Sequence, residues 1–248
     1  SNTKSNAVMF EFSGNDTGVG ISNFECSIDN SNFTACSSPV QFTSANITDG
    51  THTFEVLSVD NSTNKDPSPA SFNWTVDTIA PTTIINSAID GNNSTITNSS
   101  STKSNAVMFE FSGNDTGGVG IDHLECSLDG TSFSACTSPV QFTSANLLDG
   151  THSFLVIAQD KVGNMMTAPV LFNWTVDTLP PTTAINTAID GNNGTLVSGN
   201  STMSTSMSFT FSGNDRGLEN KGLGIKQIEC SIDNSNFTTC VSPIQYSN

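Results

Sequence analysis

The six cysteines are the residues of this chain whose spacing points most directly to chemistry. An even number of cysteines in one repeated spacing favours disulfides and an oxidising compartment. A zinc site would need Cys-x2-Cys spacing, which the chain lacks, and His123, near Cys126, has no counterpart in the other copies. A β-hairpin would bring the two cysteines of a pair to the short Cα separation that a disulfide requires. The predicted disulfides join Cys26 to Cys36, Cys126 to Cys136, and Cys230 to Cys240.

Aspartate and asparagine recur at three places where they could bind a cation. In a β-sandwich, the loop after the second strand, the loop before the last strand and the linker from the preceding repeat lie at one pole. Calcium takes six to eight oxygen ligands, largely from carboxylates, amides and backbone carbonyls. The alternative is that these residues only form turns and satisfy backbone donors. The candidate calcium ligands are Asp77, Asn114, Asp115 and Asp160 at the first junction, with Asp177 and Asp215 at the second.

No combination of residues in the sequence predicts catalysis. His52 and His152 each end a repeated Asp-Gly-Thr-His motif, where stabilising a turn is a more common role than catalysis. His123 has no counterpart in the other copies. Oxidised cysteines are not nucleophiles, and no glycine-rich segment leads into a helix that could bind phosphate. We therefore expect a protein that is not an enzyme, with calcium as its one candidate cofactor.

The charge balance limits the kinds of partner. Acidic residues outnumber basic ones by 23 to 7, which gives a formal net charge of −16. Binding to nucleic acid requires clustered lysine and arginine, and anionic membrane surfaces also attract basic segments. The sequence contains no recognisable transmembrane segment, signal peptide or lipidation motif. We expect no nucleic acid and no membrane insertion by this segment, which leaves cations and neutral surfaces as partners.

The chain repeats itself about every 100 residues. FECSIDNSNFTAC at 24–36 recurs as LECSLDGTSFSAC at 124–136 and as IECSIDNSNFTTC at 228–240. This period is the usual size of one β-sandwich, so the chain is predicted to be a tandem array of similar domains. The predicted domains are a first repeat (1–78, lacking its first strand), a complete second repeat (79–178) and a third repeat (179–248, lacking its last strands).

Apolar residues of the second repeat alternate along short segments separated by turn signals. Val107, Phe109 and Phe111 alternate with Met108, Glu110 and Ser112, and Phe172 and Trp174 flank a polar residue near the end of the repeat. No segment has the spacing of an amphipathic helix, so the chain is predicted to be all-β. Seven such strands indicate an immunoglobulin-like or fibronectin-like β-sandwich. The predicted disulfide lies within a hairpin, whereas the antibody disulfide joins the two sheets.

The linkers between repeats are about four residues long and contain proline. They are Thr78-Ile79-Ala80-Pro81 and Thr178-Leu179-Pro180-Pro181. Short, proline-stiffened linkers restrict hinge motion and favour sandwiches arranged end to end. From strands of about ten residues, each repeat should add roughly 35–40 Å of length.

The second repeat carries four motifs in order, which are ECSLDG (125–130), DGTHSF (149–154), DKVGN (160–164) and WTVDTLPP (174–181). In these motifs the chain resembles the immunoglobulin-like repeats of large bacterial and archaeal extracellular surface proteins. The resemblance implies non-catalytic stalk or display modules. The first copy departs from the pattern in a polar loop at 60–64, and the third has a four-residue insertion around Arg216–Lys221.

These observations leave three functional hypotheses. The leading one is a structural segment of a long protein at the extracellular cell surface, serving as a rigid stalk or fibre body. The second is a subunit of a polymerising filament or surface layer, in which chains self-associate by exchanging strands across incomplete sandwiches. The third is an adhesive module that binds a cell-surface glycan or protein, with the inserted loop of the third repeat as its candidate site.

Asn-x-Ser/Thr sequons add a prediction of surface glycosylation. Asn73 and Asn173 alternate with inward-facing phenylalanine and tryptophan, so both should point to solvent. The alternative is that these residues simply make a soluble, weakly charged surface. The further candidate sequons are Asn32, Asn61, Asn98 and Asn236.

Overall fold

The computed structural model describes residues 1–215 and 223–247, and these residues form an all-β structure without helices. The predicted fold class, tandem immunoglobulin-like β-sandwiches, is confirmed. The insertion around Arg216–Lys221, and with it the candidate adhesive loop, lies outside the described residues.

Contacts within the chain divide it into two compact units. The first contains the whole first repeat, and the second contains the whole third repeat. Because the second repeat contributes to both units, the boundaries of the three repeats stay a prediction. The units are Ser1–Ser87 with Phe109–Val140 and Phe154–Phe172, and Ala88–Met108 with Gln141–Ser153 and Asn173–Asn248.

The first repeat has a five-stranded and a two-stranded sheet. Its strands are β1 (Asn2–Thr3), β2 (Val8–Phe10), β3 (Ile21–Ile28), β4 (Thr34–Cys36), β5 (Val40–Phe42), β6 (Gly50–Asp60) and β7 (Ala70–Val76). The larger sheet has the order β1-β7-β6-β3-β4, and β2 pairs antiparallel with β5 in the smaller one.

Alternation along β6 explains how the two sheets of the first repeat pack. His52, Phe54 and Val56 are buried, whereas the residues between them are only half-buried. Phe54 stacks on Phe10 of β2 with ring centroids 4.3 Å apart, and Trp74 of β7 lies 5.3 Å from the same Phe10 ring. Aromatic side chains from both sheets therefore form the core, as a sandwich requires.

The second repeat has a five-stranded sheet, β12-β11-β14-β15-β9, and a three-stranded sheet, β13-β10-β8. Its strands are β8 (Thr82–Asp90), β9 (Ser100–Thr102), β10 (Val107–Asn114), β11 (Ile121–Leu128), β12 (Ser134–Cys136), β13 (Val140–Phe142), β14 (Gly150–Asp160) and β15 (Val170–Val176). Phe109 and Phe154 stack at 4.5 Å and are both fully buried.

One short strand adds to the seven predicted for the second repeat. Strand β9 pairs parallel with β15, with Ser100 opposite Trp174 and Thr102 opposite Val176. Strand β1 pairs in the same way with β7 in the first repeat. Its three Ser and Thr residues show no apolar alternation, so no side-chain pattern predicts a strand at this position.

The third repeat has a three-stranded sheet, β16-β17-β20, and a two-stranded sheet, β18-β19. Its described strands are β16 (Thr182–Asp190), β17 (Ser206–Asn214), β18 (Glu229–Cys230), β19 (Thr238–Thr239) and β20 (Ile244–Ser247).

The three predicted disulfides are present, and each closes a hairpin between neighbouring strands. They join Cys26 to Cys36, Cys126 to Cys136, and Cys230 to Cys240. The Cα atoms of each pair are 5.8 Å apart, which is a normal separation for a disulfide.

Candidate metal centre

Three aspartates from distant parts of the sequence meet at the start of the second repeat. Asp77 follows β7, Asp115 follows β10, and Asp160 is the last residue of β14. One carboxylate oxygen from each lies within 4.8 Å of those of the other two. Asp77 is 0% and Asp160 2% exposed. These three residues are called the acid cluster below.

Asp77 accepts hydrogen bonds from one backbone donor in the linker and one in the second repeat. Its Oδ1 accepts a hydrogen bond from Ile79 N at 3.0 Å, and its Oδ2 accepts one from Val119 N at 2.8 Å. The first bond closes a turn within the linker, and the second ties the linker to the loop between β10 and β11. Asp77 therefore fixes the entry of the chain into the second repeat.

Asp160 is held by the loop that follows β14. Its Oδ1 accepts hydrogen bonds from Val162 N at 2.9 Å and Asn164 N at 2.8 Å. Burial raises the pKa of the Asp160 carboxyl, but the hydrogen bonds from Asn164, Val162 and Gly163 outweigh it and lower the pKa below its usual value. The carboxylate is therefore negatively charged at neutral pH.

Asn164 is a residue of this site that the sequence reasoning missed. Its Nδ2 donates to Asp160 Oδ2 at 2.7 Å, to the Asp77 carbonyl at 2.9 Å and to the Ile79 carbonyl at 3.3 Å. One amide group thus connects the last loop of the second repeat to the linker before it. The repeated Asp-x-x-x-Asn spacing could have pointed to Asn164, because Asn64 donates to Asp60 in the same way in the first repeat.

The two carboxylate oxygens of Asp115 differ in their hydrogen bonding. Its Oδ2 accepts a hydrogen bond from Gly120 N at 2.7 Å, whereas its buried Oδ1 has no hydrogen-bond partner in the part of the chain that the structure describes. A Cβ added to Gly118 would lie 2.4 Å from both Asp115 oxygens and 2.5 Å from Asp77 Oδ2. Only a residue without a side chain leaves room for the carboxylates to converge.

Among the described residues, no salt bridge offsets the negative charge of the acid cluster. None of its members forms a salt bridge with a lysine, arginine or histidine of residues 1–215 and 223–247. Placing negative charges together away from water is costly unless they are paired or bind a cation. The three carboxylates, with the free oxygen of Asp115, form a donor set of the type that calcium prefers.

Asn114 lies beside the acid cluster but uses its side chain elsewhere. The residue is exposed, and its side-chain amide is hydrogen-bonded to Thr116 Oγ1 at 2.8 Å. The structure therefore brings together three of the four ligands predicted for the first junction.

The second junction repeats part of the same arrangement. Asp177 Oδ1 accepts from Leu179 N at 3.3 Å, and its Oδ2 accepts from Leu223 N at 3.0 Å. Asp215 has a buried Oδ1 with no hydrogen-bond partner among residues 1–215 and 223–247, like its counterpart Asp115. The same unpaired carboxylate oxygen thus occurs in two repeats.

The first repeat contains counterparts of only two members of the acid cluster. Asp16 corresponds to Asp115 and accepts from Gly18 N at 3.1 Å and Gly20 N at 2.7 Å. Asp60 corresponds to Asp160. Among the described residues, these two belong to no group of three possible metal ligands. They provide internal controls for the acid cluster.

The histidines have structural partners. Nδ1 of His52 is 2.7 Å from Asp29 Oδ2, and its Nε2 is 2.7 Å from the Thr48 carbonyl. Burial lowers the pKa of His52, but the hydrogen bonds to Thr48 and Asp29 outweigh it and raise the pKa above its usual value. His152 Nε2 likewise contacts the Leu148 carbonyl at 2.7 Å.

The structure places the predicted sequons on the surface to different degrees. Asn73 is exposed, whereas Asn173 is half-buried. The side-chain nitrogen of Asn61, the atom that would carry a glycan, donates to Val19 O at 2.7 Å. Asn98 Oδ1 accepts from Asn173 N at 2.7 Å. The remaining candidates, Asn32 and Asn236, are exposed, and glycosylation of all six sites stays a prediction.

No known protein family matches the sequence, and no curated protein matches it at a significant level. Solved structures with similar folds include fibronectin(III)-like modules of CbhA from Clostridium thermocellum, at 14% identity and a TM-score of 0.34, covering 71% of this chain and 87% of that one. A tetra-tandem repeat from the extending region of a large adhesion protein matches at 16% identity and a TM-score of 0.32, and the match covers 99% of this chain and 61% of that one. Extracellular cadherin domains 3–6 of protocadherin gamma B2 match at 10% identity and a TM-score of 0.33, and the match covers 79% of this chain and 62% of that one.

Similarity at these levels carries no functional assignment, so the function must be argued from the chain's own residues. Within the described ranges, no helix is long and apolar enough to cross a membrane.

Proposed function

We propose that the chain is a non-catalytic structural segment of a long extracellular surface protein, a rigid stalk or fibre body whose repeat junction is fixed by calcium. The observation that carries this proposal is the acid cluster, which joins Asp77 of the linker to Asp115 and Asp160 of the second repeat. A segment that transmits force or holds distance needs linkers that do not bend freely. Calcium at this position would fix the linker to two loops of the following repeat.

The cysteines support an extracellular location. All three cysteine pairs are oxidised in the structure, and no cysteine of the described residues is free. Structural disulfides persist outside the cell and are rare in the cytosol. An extracellular location also provides calcium at millimolar concentration, which suits a site of modest affinity.

The residues of the acid cluster fit a hard cation such as calcium better than they fit zinc. All side-chain donors are carboxylate oxygens, which are hard ligands, and neither histidine nor cysteine is part of the group. Asp77, Asp115 and Asp160 would hold the ion, while backbone carbonyls and water would complete its shell. The bound ion would neutralise the buried negative charge and bind the linker and both loops together.

Thermal unfolding with calcium or with a chelator tests the proposal. If the free calcium concentration is 100 times the dissociation constant, binding adds about 2.7 kcal/mol to the unfolding free energy. At about 2–4 °C per kcal/mol for a protein of this size, Tm should rise by about 5–10 °C. Magnesium at the same concentration should have a smaller effect, because it requires a tighter octahedral shell.

Two matched variants separate calcium binding from general effects of charge. Asp115→Asn should abolish the calcium-dependent rise in Tm, because it removes the carboxylate with the unpaired oxygen. Asp16→Asn changes the corresponding residue of the first repeat, which has no complete cluster, and should leave the rise intact. Equal Tm with calcium and chelator, or equal loss in both variants, would contradict the calcium part of the proposal.

Electron microscopy of the native surface protein tests the structural part separately. A stalk or fibre body should appear as threads of beads at about 35–40 Å spacing. A two-dimensional lattice would instead support a surface layer, and isolated compact particles would contradict both.

A further inference from the structure

Asn164 of the second repeat contacts two of the three aspartates of the acid cluster. Its side-chain Nδ2 lies 2.7 Å from Asp160 Oδ2 and 2.9 Å from the backbone carbonyl oxygen of Asp77. A third contact, at 3.3 Å, reaches the carbonyl oxygen of Ile79. One half-buried side chain therefore joins a candidate ligand of the second repeat to the linker that precedes this repeat.

The partners of Asn164 determine what its side chain can do. Asp160 Oδ2 and the two carbonyl oxygens only accept hydrogen bonds, so the group that faces them must be the NH2 donor of the amide. Calcium binds oxygen atoms, and a donating nitrogen is therefore not one of its ligands. This nitrogen acts on the acid cluster through Asp77 and Asp160.

The contact between Asn164 and Asp160 belongs to a turn, whereas the contacts with the linker do not. Asn64 donates to Asp60 Oδ2 at 2.8 Å in the corresponding turn of the first repeat. The carbonyls of Asp77 and Ile79 come from a distant segment, 87 and 85 residues before Asn164. A residue that only stabilises a turn does not need partners so far away in the sequence.

Asn164 also influences which oxygen of Asp160 can face a cation. The backbone amides of Val162 and Asn164 donate to Asp160 Oδ1 at 2.9 and 2.8 Å. An ionised carboxylate oxygen has about two acceptor sites, so these bonds fill Oδ1. Oδ2 keeps one site beside the bond from Asn164 Nδ2. We therefore expect Asp160 to bind a cation through Oδ2, in the orientation that Asn164 sets.

On the linker side, Asp77 is attached through both its main chain and its side chain. Its carbonyl accepts from Asn164, while its carboxylate accepts from Ile79 N at 3.0 Å and from Val119 N at 2.8 Å. None of these bonds requires a cation. The linker is thus ordered before an ion binds, which lowers the entropy cost of bringing Asp77 to the other two carboxylates.

We propose that Asn164 is the positioning residue of the acid cluster and that it couples the order of the linker to the affinity for calcium. The inference rests on the proposed function, because it assigns a role in the same calcium site. Groups that orient metal ligands typically contribute about 10–100-fold to metal affinity. Loss of the Asn164 amide should therefore weaken calcium binding even though all three carboxylates remain.

Calorimetric titration of the intact chain with calcium tests the effect on affinity. Asn164→Ala should raise the Kd for calcium at least about tenfold. Asn64→Ala is the matched control, since it removes the corresponding bond to Asp60 in the first repeat, and it should leave the Kd unchanged. A residue that only stabilised a turn would lower Tm equally with calcium and with chelator. A positioning residue should instead reduce the rise in Tm that calcium produces.

Hydrogen exchange with chelator tests the effect on the linker without calcium. The amides of Ile79 and Val119 report on Asp77, because both donate to its carboxylate. Asn164→Ala should make these amides exchange at least about tenfold faster than in the unmodified chain, and saturating calcium should slow them again. If the variant fails to fold, NMR of the unmodified chain gives a second measurement. With chelator, the side-chain amide protons of Asn164 should exchange more slowly than those of the exposed Asn32.

The outcomes separate this proposal from the proposed function. Equal calcium affinity of the unmodified chain and Asn164→Ala would overturn the proposal and leave the calcium site intact. Equal exchange of the Ile79 and Val119 amides in chelator, or rapid exchange of the Asn164 side-chain protons, would overturn it as well. No calcium binding by the unmodified chain would contradict the proposed function together with the affinity part of this proposal. The exchange comparison would then still decide whether Asn164 holds the linker.

Discussion

Removing the disulfide of the first repeat should lower the stability of that repeat without changing its fold. The change is Cys26→Ala combined with Cys36→Ala. In the folded state, β3 remains paired with β4 through three residue pairs and with β6 along its other edge. Because these pairs persist without the sulfur atoms, the main loss should come from greater freedom of the unfolded chain.

The size of the effect follows from the length of the closed ring. The cysteines are 10 residues apart in sequence, for which the chain-entropy estimate is about 3 kcal/mol. A domain of 78 residues has a total stability of about 4–12 kcal/mol at typical values per residue. The disulfide therefore contributes between about a quarter and three quarters of the stability of the first repeat.

Tryptophan fluorescence can follow the first and second repeats separately during urea unfolding. The chain has two tryptophans, Trp74 in the first repeat and Trp174 in the second. In a Trp174→Phe background, the Trp74 transition should move to lower urea by about 1–3 M. In a Trp74→Phe background, the Trp174 transition should move much less. An unchanged Trp74 midpoint would refute the reasoning, because it would mean that the hairpin is already closed in the unfolded chain.

Three further predictions follow from single residues. The pKa of His52 is raised in the folded protein. Its stabilising effect should therefore be full below about pH 6.5 and be lost as the pH rises through the folded pKa. His52→Gln should flatten the dependence of the urea midpoint on pH above this value. Phe54→Ala should cost about 3–5 kcal/mol because Phe54 is 3% exposed, whereas the same change at the exposed Met203 should alter the unfolding free energy by less than about 0.5 kcal/mol. Gly118→Ala should weaken calcium binding, measured by titration, because the added Cβ would displace carboxylates of the acid cluster. Gly18→Ala is the control and should have little effect, because its Cβ would lie no closer than 3.4 Å to its nearest neighbour, Asp16 Oδ1.

The sequence predicted those parts of the fold that depend on side-chain patterning. Alternation around Phe54 and Trp74 identifies strands with one buried face, and the structure buries both residues. The cysteine spacing predicted the hairpins because a disulfide requires a short Cα separation. Strand β9 was missed for a physical reason. Its Ser and Thr residues pair along a sheet edge through backbone hydrogen bonds, which leave no pattern in the side chains.

The acid cluster was predictable as a meeting of three segments but not in its details. Sandwich topology brings the linker and two loops to one pole, so Asp77, Asp115 and Asp160 could be named together. The topology does not fix which of two neighbouring side chains turns inward, and Asn114 hydrogen-bonds to Thr116 at the surface. The roles of Asn164 and Gly118 depend on distances of a few tenths of an ångström, which sequence patterns do not encode.

The origin of the three aspartates explains why calcium binding would be a property of the array. Asp115 and Asp160 belong to the second repeat, and Asp77 of the preceding linker completes the acid cluster. One repeat alone therefore supplies two carboxylates, and the third arrives only with the linker. A cation site built in this way would form only where one repeat follows another, so calcium would stabilise the junction more than either repeat alone.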